Sequence, residues 1–572
     1  MVRPLGSHGQ TMRSFSFASA SFALRIDYTW GDIADLHVAR QGLSYRSGAD
    51  PQKTTSKLKS LMSIIKQNDL IDSVTDALQF MSCYHPKDYI DAVYAAWERE
   101  ESKAARDAMA QILVNSRMCA MGKRPICQDT GIVTVFVKVG MDVQWEADLS
   151  LADMINEGVR RAYTDPDNTL RASLLADPAG KRKNTGDNTP AVIHTEVVKG
   201  DKVTFEIAAK GGGSENKSKL AMLNPSDSIV DWVVKTVPTM GAGWCPPGML
   251  GIGIGGTSEK AAVLAKESLM EPVNIQELKE RGPANRAEEL RLEIFEAVNA
   301  LGIGAQGLGG LTTVVDVKIL DYPTHAASLP VAMIPNCAAT RHAHFTLDGS
   351  GPQFQTPPSI DDWPDITWDA GDSSRRVNLD TVTADDVKTW KPGETLLLSG
   401  TMLTGRDAAH KRIQTLLESG EGLPDGIDFN GKFIYYVGPV DAVRDEVVGP
   451  AGPTTATRMD KFTEMMLSEF GLLGMIGKAE RGDTGVDAIK KHGAVYLMAV
   501  GGAAYLVSKA IKQSRIVAFE ELGMEAIHEF VVEDMPVTVA VDSQGEAVHR
   551  TGPAEWRDKI ASGAVHPIYF KS

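Results

Sequence analysis

The chain has 572 residues, of which 43% are hydrophobic, and a chain of this length is expected to fold as more than one domain. A net charge of -15 argues against a nucleic-acid-binding protein, which normally presents a basic face, but it permits an acidic substrate bound by a few local cations. Five cysteines are too few for a disulfide scaffold of this size, so a reduced compartment is expected.

The N-terminal segment differs in composition from the rest of the chain. Residues 1–26 contain three arginines, five serines and no acidic residue, a composition typical of a mitochondrial transit peptide. This interpretation predicts a protein of the mitochondrial matrix; the alternative is a disordered tail without a targeting role, on a cytoplasmic protein. We therefore assign residues 1–55 to a transit-like or disordered segment outside the folded domains.

Helical periodicity begins with residues 58–81 and continues in a second predicted helix, residues 95–120, which ends at Gly122. The apolar run at residues 132–139 predicts a buried strand, and the alternating run at residues 202–210 predicts another. Three glycine-rich loops follow, and such loops let the backbone approach a ligand closely. Their sequences are KGGGSENKS, GWCPPGMLGIGIGG and GIGAQGLGG.

The composition changes between residues 354 and 391, which are rich in proline, aspartate, serine and tryptophan and lack a sustained period. We interpret this stretch as the linker between two domains. After it, strand-like segments at residues 396–400, 433–440 and 495–502 alternate with helical segments, which predicts a second α/β domain. No apolar run approaches the ~20 residues of a membrane helix, so we expect a soluble protein.

Three cysteines lie in turn-like contexts: Cys127 in RPICQDTG, Cys245 in GAGWCPPGM and Cys337 in IPNCAATRH. Cys83 and Cys119 instead fall within helical pattern. Any single cysteine is more often a small buried hydrophobe than a ligand. Three in loops, with no C-x₂-C pair among them, fit neither a zinc site nor a ferredoxin-type cluster. Their spacing suits a [4Fe–4S] cluster with one iron that lacks a protein ligand and acts as a Lewis acid.

Ten stretches resemble, in order, the class I fumarase / tartrate dehydratase family across roughly residues 55–570. The matching motifs are ICQDTG, NTLRAS, NTPAVIHTE, AAKGGGSENKS, WCPPGMLGIGIGG, HAASLPVA, PNCAATR, SGTMLTGRDAAHKR, GPTTATRMD and IGKAERG. Members of that family occur as separate α and β subunits divided near the predicted linker, or as one fused chain like this one.

The resemblance implies a two-domain α/β fold. Residues 56–353 are expected to form an N-terminal α/β domain that binds the cluster, residues 354–391 a linker, and residues 392–572 a C-terminal swivelling β/β/α domain. It also implies a homodimer whose active site lies between the two domains. The implied activity is reversible hydration of fumarate to malate, a step of the tricarboxylic acid cycle, at an oxygen-labile [4Fe–4S] cluster.

The resemblance also implies roles for individual residues. Gln128 is expected to contact the substrate, and Asp129 to belong to the acid/base set rather than only to form a turn. Thr454, in GPTTATRMD, corresponds to the family's proton-abstracting base; a hydroxyl is a weak base at its ordinary pKa, so a partner such as Asp129 must assist it. His325, in THAASLP, corresponds to an active-site histidine, the alternative being a loop histidine that caps a turn.

A dicarboxylate needs cations with matching geometry. Four such residues fall within the matched motifs: Arg171, Arg406, Arg458 and Lys478. Arg458 directly precedes a predicted helix whose first amides could also bind a carboxylate. One departure from the family is Thr457, where relatives often carry glycine.

The glycine-rich motifs invite a nucleotide-binding interpretation, which the sequence does not favour. KGGGSENKS lacks the spacing of a phosphate-binding loop, and its glycines, Gly213 among them, are expected to offer backbone amides to a carboxylate. GIGIGG satisfies G-x-G-x-x-G, but two prolines occupy the position of the strand that should precede it.

Two other functions remain open at this stage. A tartrate dehydratase, or a dehydratase of another dicarboxylate, would use the same cluster and cations, although the fused chain favours fumarase. A redox-sensing iron–sulfur protein would need a fourth ligand, for which the helical positions of Cys83 and Cys119 are poorly suited.

Overall fold

The structure is a computed structural model that describes residues 63–368, 374–424 and 426–566, all of which belong to one compact unit. The predicted transit-like segment, residues 1–55, lies outside the described residues. Within the described ranges, no helix is both long enough and apolar enough to cross a membrane.

The part of the chain before residue 353 combines helices with two four-stranded sheets and two small ribbons. Its helices are α1 (Gln67–Cys83), α2 (Lys87–Arg99), α3 (Lys103–Gly122), α4 (Leu151–Tyr163), α5 (Gly212–Glu215), α6 (Ile229–Thr236), α7 (Ser258–Glu267), α8 (Ile275–Arg281) and α9 (Arg286–Asn299). Its strands are β1 (Ile64–Lys66), β2 (Ile132–Gly140), β3 (Gln144–Glu146), β4 (Leu175–Ala176), β5 (Lys183–Asn184), β6 (Val192–Val198), β7 (Val203–Lys210), β8 (Lys219–Leu223), β9 (Gly248–Gly255), β10 (Val314–Tyr322), β11 (Leu329–Asn336) and β12 (His342–Leu347).

The helix predicted at residues 95–120 is in fact two helices, and the break between them has a clear cause. The carboxylate of Glu100 accepts hydrogen bonds from the amides of Ser102 and Leu311, which anchors the chain to a distant loop. Ser102 then caps α3 by accepting a hydrogen bond from the amide of Ala105. The strands predicted at residues 132–139 and 202–210 are confirmed as β2 and β7.

The two sheets bring several loops to one edge. In the first sheet (order β12-β7-β2-β6), the start of β2 pairs with the end of β7 and the start of β12 pairs with the same end. In the second sheet (order β10-β9-β11-β8), the end of β11 pairs with the start of β9. The turn from residue 337 to residue 341 joins β11 to β12, so the loops at these strand ends lie close together.

The glycines of GIGIGG are explained by packing, not by nucleotide binding. All but the last of them lie within β9, and Gly251 and Gly253 lie directly against α7. A Cβ added to Gly253 would lie 1.9 Å from the carbonyl oxygen of Ala261, and one added to Gly251 would lie 2.2 Å from that of Ala265. Only glycine allows the helix to approach the strand this closely.

The remainder of the chain forms a seven-stranded sheet that closes on itself. Strand order is β13-β14-β15-β16-β17-β19-β18, and β14 also pairs with β19, which completes a barrel. The strands are β13 (Arg375–Asn378), β14 (Thr395–Thr404), β15 (Phe433–Tyr435), β16 (Gly474–Gly477), β17 (Val495–Met498), β18 (Ile511–Ala518) and β19 (Ile527–Val541). The helices are α10 (Ala384–Val387), α11 (Asp407–Ser419), α12 (Asp460–Ser468), α13 (Asp483–His492), α14 (Ala504–Ala510) and α15 (Val548–Ala561).

The predicted α/β fold class is confirmed. Residues Arg375–Asn378, within the predicted linker, form β13, which pairs in parallel with β14 of the seven-stranded sheet. A single hydrophobic cluster also extends through both parts of the chain, from Ala108 and Ile334 to Tyr436 and Met475. Apolar burial therefore helps to hold the sheet β10-β9-β11-β8 and the seven-stranded sheet together.

Candidate active site

Cys127 lies in the loop between α3 and β2, directly after Ile126, whose backbone is held by two hydrogen bonds. The amide of Ile126 donates to the carbonyl of Ser82 at 2.8 Å, and the side chain of Asn115 donates to the carbonyl of Ile126 at 3.1 Å. The Cys127 thiol is buried and donates to Oε1 of Gln128 at 3.3 Å. The residue directly before the cysteine, Ile126, is thus fixed through both its amide and its carbonyl.

Cys245 and Cys337 are brought together by the second sheet. Cys245 stands just before β9 and Cys337 just after β11, at the paired ends of two neighbouring antiparallel strands. The amide of Ala338 donates to the carbonyl of Cys245 at 3.0 Å, which joins the two loops directly. Cys245 adopts a left-handed backbone conformation with φ of 57°. A Cβ on Gly501 would lie 2.3 Å from Sγ of Cys245, so glycine is required opposite this sulfur.

The three thiols share one electrostatic environment. Burial raises the pKa of Cys127, and burial raises that of Cys245 to about 11. The ammonium of Lys478 donates to Sγ of Cys245 at 3.2 Å. Burial would lower the pKa of Lys478, but Cys245, Cys127 and Cys337 together hold it above its ordinary value. Lys478 is therefore a buried cation in contact with Cys245, and the charge of the three cysteines favours its protonated form.

A cavity of about 410 Å³ opens beside these loops. It gathers residues from both parts of the chain. Eight of the twelve predicted site residues line it, and the three predicted cysteines lie in the loops beside it. Its lining comprises Gln128, Asp129, Arg171, Gly212, Gly213, Asn216, Lys217, Arg406, Thr454, Thr455, Thr457, Arg458 and Lys478.

The cavity lining is strongly cationic, with five cations against the single carboxylate of Asp129. Arg171 and Arg406 are largely buried, with 9% and 13% of their side chains exposed. The Nε of each is buried and has no hydrogen-bond partner. Burial lowers the pKa of Arg406, but a guanidinium remains charged at any physiological pH. Buried cationic donors without acceptors indicate a site for an anion.

Three strand ends of the barrel supply the C-terminal side of the cavity. Arg406 follows β14, Thr454 lies in the loop between β15 and β16, and Lys478 follows β16. The amide of Lys478 donates to the carbonyl of Thr454 at 3.0 Å, which fixes the two residues side by side. These strands are parallel, so their carboxyl ends meet at one edge, the usual place for a ligand in such sheets.

Arg458 is the most exposed of the predicted cations, with 48% of its side chain accessible. It precedes α12, as predicted, and its Nη2 lies 3.4 Å from a carboxylate oxygen of Asp407. Because Asp407 is the first residue of α11, this pair connects the starts of two helices at the mouth of the cavity.

Asp129 is held as an acceptor. Its Oδ2 accepts from the amide of Gly212 at 2.8 Å, and its Oδ1 lies 3.9 Å from Nη2 of Arg171. Burial alone would raise its pKa, but Arg171, Arg341 and Lys478 outweigh burial and leave the pKa below its ordinary value. The glycines of KGGGSENKS thus bind the carboxylate of Asp129 through the amide of Gly212, while Gly213 lines the cavity.

The hydroxyl of Thr454 donates to the carbonyl of Tyr436 at 3.2 Å. Its hydrogen is therefore directed at that carbonyl, and the lone pairs of its oxygen remain available to accept a hydrogen bond. Thr454 lines the cavity although only 8% of the residue is exposed. Gln128 is positioned similarly, because its Nε2 donates to the carbonyl of Pro453, next to Thr454 in the chain, at 3.0 Å.

His325 does not join this cavity within the chain. It follows β10, whose last residue Tyr322 pairs with the end of β9, whereas Cys245 precedes the start of β9. Eight strand residues separate the two ends, about 25 Å at ~3.3 Å per residue. His325 is exposed and its Nδ1 accepts from the amide of Ala327, so it caps a turn in this chain. It lines a separate open groove with His194.

Several lining residues were not predicted from the sequence. Asn216 and Lys217 lie in the same KGGGSENKS motif as Gly213. The lysine in that motif could have been predicted as a further cation of the substrate site. Thr455 and Thr457 follow the predicted base, Thr454, in the chain. The Thr457 hydroxyl donates to the carbonyl of Glu480 at 2.8 Å, so the hydrogen of this hydroxyl is not available to a ligand.

Cys83 and Cys119 lie in α1 and α3, as predicted from the helical pattern. Across the described ranges, no group of three histidine, cysteine or acidic side chains is arranged to hold one metal ion. A cubane cluster imposes a different requirement, because each thiolate binds a separate iron and the sulfurs need not share one point.

Two family models match consecutive parts of the chain. One, described as "Fumarate hydratase (Fumerase)", matches residues 71–346, and the other, described as "Fumarase C-terminus", matches residues 349–552. Together they cover most of the described structure and include every residue of the cavity.

Similar proteins were found in bacteria and archaea. The anaerobic class I fumarate hydratase of Escherichia coli (strain K12) is 34% identical over 464 residues, which cover 78% of this chain and 83% of the relative. The aerobic class I fumarate hydratase of Salmonella typhimurium (strain LT2) is 35% identical over 452 residues, 76% of either chain. A Methanocaldococcus jannaschii protein named as an L(+)-tartrate dehydratase subunit alpha is 35% identical over 279 residues, which cover 48% of this chain and 95% of that protein.

Proposed function

Because the chain belongs to the fumarate hydratase family, and is therefore a hydro-lyase, we propose that it interconverts fumarate and (S)-malate. The observation that carries this proposal is the cationic cavity beside the three cysteine loops. A four-carbon dicarboxylate has two negative charges, and the buried Nε atoms of Arg171 and Arg406 offer donors to them.

We propose that Cys127, Cys245 and Cys337 hold a [4Fe–4S] cluster. The donor set fits this group: the thiols are buried or half-buried, Cys245 and Cys337 lie at the paired ends of β9 and β11, Cys127 lies in the loop before β2, and the ammonium of Lys478 contacts Cys245. Thiolate is the ligand that iron–sulfur clusters use, and metal binding displaces the thiol protons. When bound, the cluster would supply a Lewis acid that makes the substrate hydroxyl a better leaving group.

The cations of the cavity bind and orient the substrate. Arg171 is held by the carbonyl of Gly438, to which Nη1 donates at 2.6 Å, while its buried Nε has no hydrogen-bond partner within the described residues. Arg406 offers a second buried donor, and Arg458 a more exposed charge at the mouth. Two fixed guanidinium groups restrict the orientation of a dicarboxylate, which lowers the entropic cost of reaching the reactive geometry.

Elimination of water from malate also requires a base for a carbon-bound proton. We assign this role to Thr454, whose oxygen lone pairs are free while its hydrogen is bound by the carbonyl of Tyr436. To act as a base, Thr454 must first lose its own hydroxyl proton. The positive charges of Lys478 and Arg458, which line the same cavity, favour that deprotonated oxygen, the form that can accept the carbon-bound proton. Asp129 supports the site differently, because it holds the amide of Gly212 and the guanidinium of Arg171.

We further propose that residues 56–353 form the cluster-binding domain, that residues 392–572 form the C-terminal domain, and that the chain functions as a homodimer. We also propose His325 as an active-site residue. Because it lies far from the cavity of its own chain, it would have to reach the cavity of a second copy in the homodimer. The arginine- and serine-rich N-terminus supports location in the mitochondrial matrix.

The substrate is tested by steady-state assays of protein purified under argon. We expect turnover of malate and fumarate, with a kcat/KM for L(+)-tartrate lower by a factor of at least about ten, the discrimination that one misplaced hydroxyl typically causes. A preference for tartrate would assign the chain to the alternative dehydratase activity on the same scaffold.

Tartrate is the second candidate because the M. jannaschii relative that carries that name matches half of this chain. A redox-sensing role has less support. It predicts a fourth ligand, whereas both remaining cysteines are buried in helices, and it does not explain the arginines of the cavity.

A further inference from the structure

A loop of the C-terminal part, residues 438–450, reaches over the loop that carries Cys127. The loop is closed at its base, where the amide of Val440 donates to the carbonyl of Pro450 at 3.0 Å. It does not line the cavity, but its first residue, Gly438, accepts the hydrogen bond from Arg171. A Cβ on Gly438 would also lie 2.5 Å from Nη1 of Arg406. The position of this loop therefore affects both buried arginines.

Arg124 holds this loop from the N-terminal side. Its side chain is completely buried and donates to three partners from separate segments: Oε1 of Glu446 at 2.9 Å, Oδ1 of Asn168 at 2.7 Å and the carbonyl of Asp441 at 2.8 Å. Glu446 is itself 7% exposed and accepts the amide of Val443. A buried ion pair satisfied by further hydrogen bonds fixes geometry more strictly than a surface pair.

Arg124 and its partners each lie within a few residues of a side chain of the active site, or in the loop that contacts one. Arg124 is three residues before Cys127, and Asn168 is three residues before Arg171. Glu446 and Asp441 lie in the loop that begins at Gly438. A Cβ on Gly449 would lie 2.8 Å from Nη2 of Arg124, so glycine at that position makes room for the guanidinium.

We propose that the Arg124–Glu446 pair is a positioning device that fixes loop 438–450 against the Cys127 loop and thereby sets the orientation of Arg171 and Arg406 toward the substrate. Neither residue touches the cavity, so both act through others. This inference rests on the proposed function for its kinetic part, but the attachment of the loop can be measured without any activity.

The test uses Glu446→Gln, Arg124→Gln and the double variant in the full-length, cluster-loaded enzyme. Glu446→Gln keeps the shape of the side chain but removes its charge. We expect KM for malate to rise about tenfold, the loss expected when a charge-assisted contact is weakened, while kcat changes less than about twofold. Amide hydrogen exchange should accelerate in residues 438–450. Asp365→Asn is the matched control, because Asp365 is 92% exposed in its pair with Arg117.

The double variant separates positioning from stability. It removes both charges and so avoids a lone buried ion, which should restore thermal stability relative to Arg124→Gln. We expect KM to remain raised, because the loop is still not held. Iron content should equal that of the wild type in all variants.

Two results would overturn the proposal: a wild-type KM in both Glu446→Gln and the double variant, or unchanged exchange in residues 438–450. If the wild-type enzyme turned over no dicarboxylate, the proposed function would fail separately. Exchange in the loop would then decide alone whether the pair holds it.

Discussion

Replacement of Cys127, Cys245 or Cys337 by serine, one at a time, is expected to abolish turnover of malate and fumarate. Serine keeps the size of the side chain but replaces a soft thiolate by a hydroxyl, which iron–sulfur clusters do not ordinarily accept as a ligand. The wild type should contain about four irons per chain, and each variant less. The measurement is iron content and initial rate on the same anaerobic preparation.

Cys83→Ser and Cys119→Ser provide the matched controls. Both residues are buried in helices, with 3% and 0% exposure, so these changes are expected to lower stability somewhat but to leave iron content and rate near wild type. Full activity of a Cys127→Ser, Cys245→Ser or Cys337→Ser enzyme without iron would exclude the proposed ligand set.

Thr454→Ala is expected to lower kcat by about 10²–10⁴, the usual effect of losing a general base, with little change in KM. The substitution leaves the cysteine loops and the arginines in place. The hydroxyl of Thr454 is bound only to the carbonyl of Tyr436 among the described contacts, so its removal leaves no buried charge. Thr454→Ser keeps the hydroxyl and should retain most of the rate. Steady-state kinetics of both variants on malate test the assignment.

Arg458→Ala should give the opposite kinetic pattern. It removes a charge that ground state and transition state both use, so KM should rise while kcat changes less. If Thr454→Ala instead left kcat intact, the base would have to be Asp129 or His325.

The sequence was sufficient to predict several elements and most of the cavity. Strands β2 and β7 follow from their apolar patterns, and the cavity residues follow from motifs whose order is shared with a known family. The prediction of one continuous helix at residues 95–120 was wrong at Glu100. The chain breaks there because the Glu100 carboxylate accepts a hydrogen bond from the amide of Leu311, more than 200 positions along the chain. Periodicity does not report such tertiary contacts.

Three features of the structure could not be predicted from sequence spacing alone. Cys245 and Cys337 are joined because β9 and β11 are antiparallel neighbours, a pairing that the sequence does not specify. The parallel pairing of β10 with β9 explains why His325, which follows β10 at the far end of the sheet, lies away from the cysteines in this chain. The role of Arg124 could not be predicted either, because its partners Asn168, Asp441 and Glu446 lie far from it in the sequence.

The central claim is that a cluster with one substrate-accessible iron, held by three cysteines, drives the reaction. The most direct test is exposure of the anaerobic enzyme to air, with activity, iron content and visible absorbance followed together. Activity should decay while much of the colour remains and iron falls from about four toward about three per chain, because the iron without a thiolate is held least firmly. Ferrous iron and thiol under argon should restore activity, and bound malate should slow the loss. Undiminished turnover for hours in aerated buffer by iron-free protein would contradict the account.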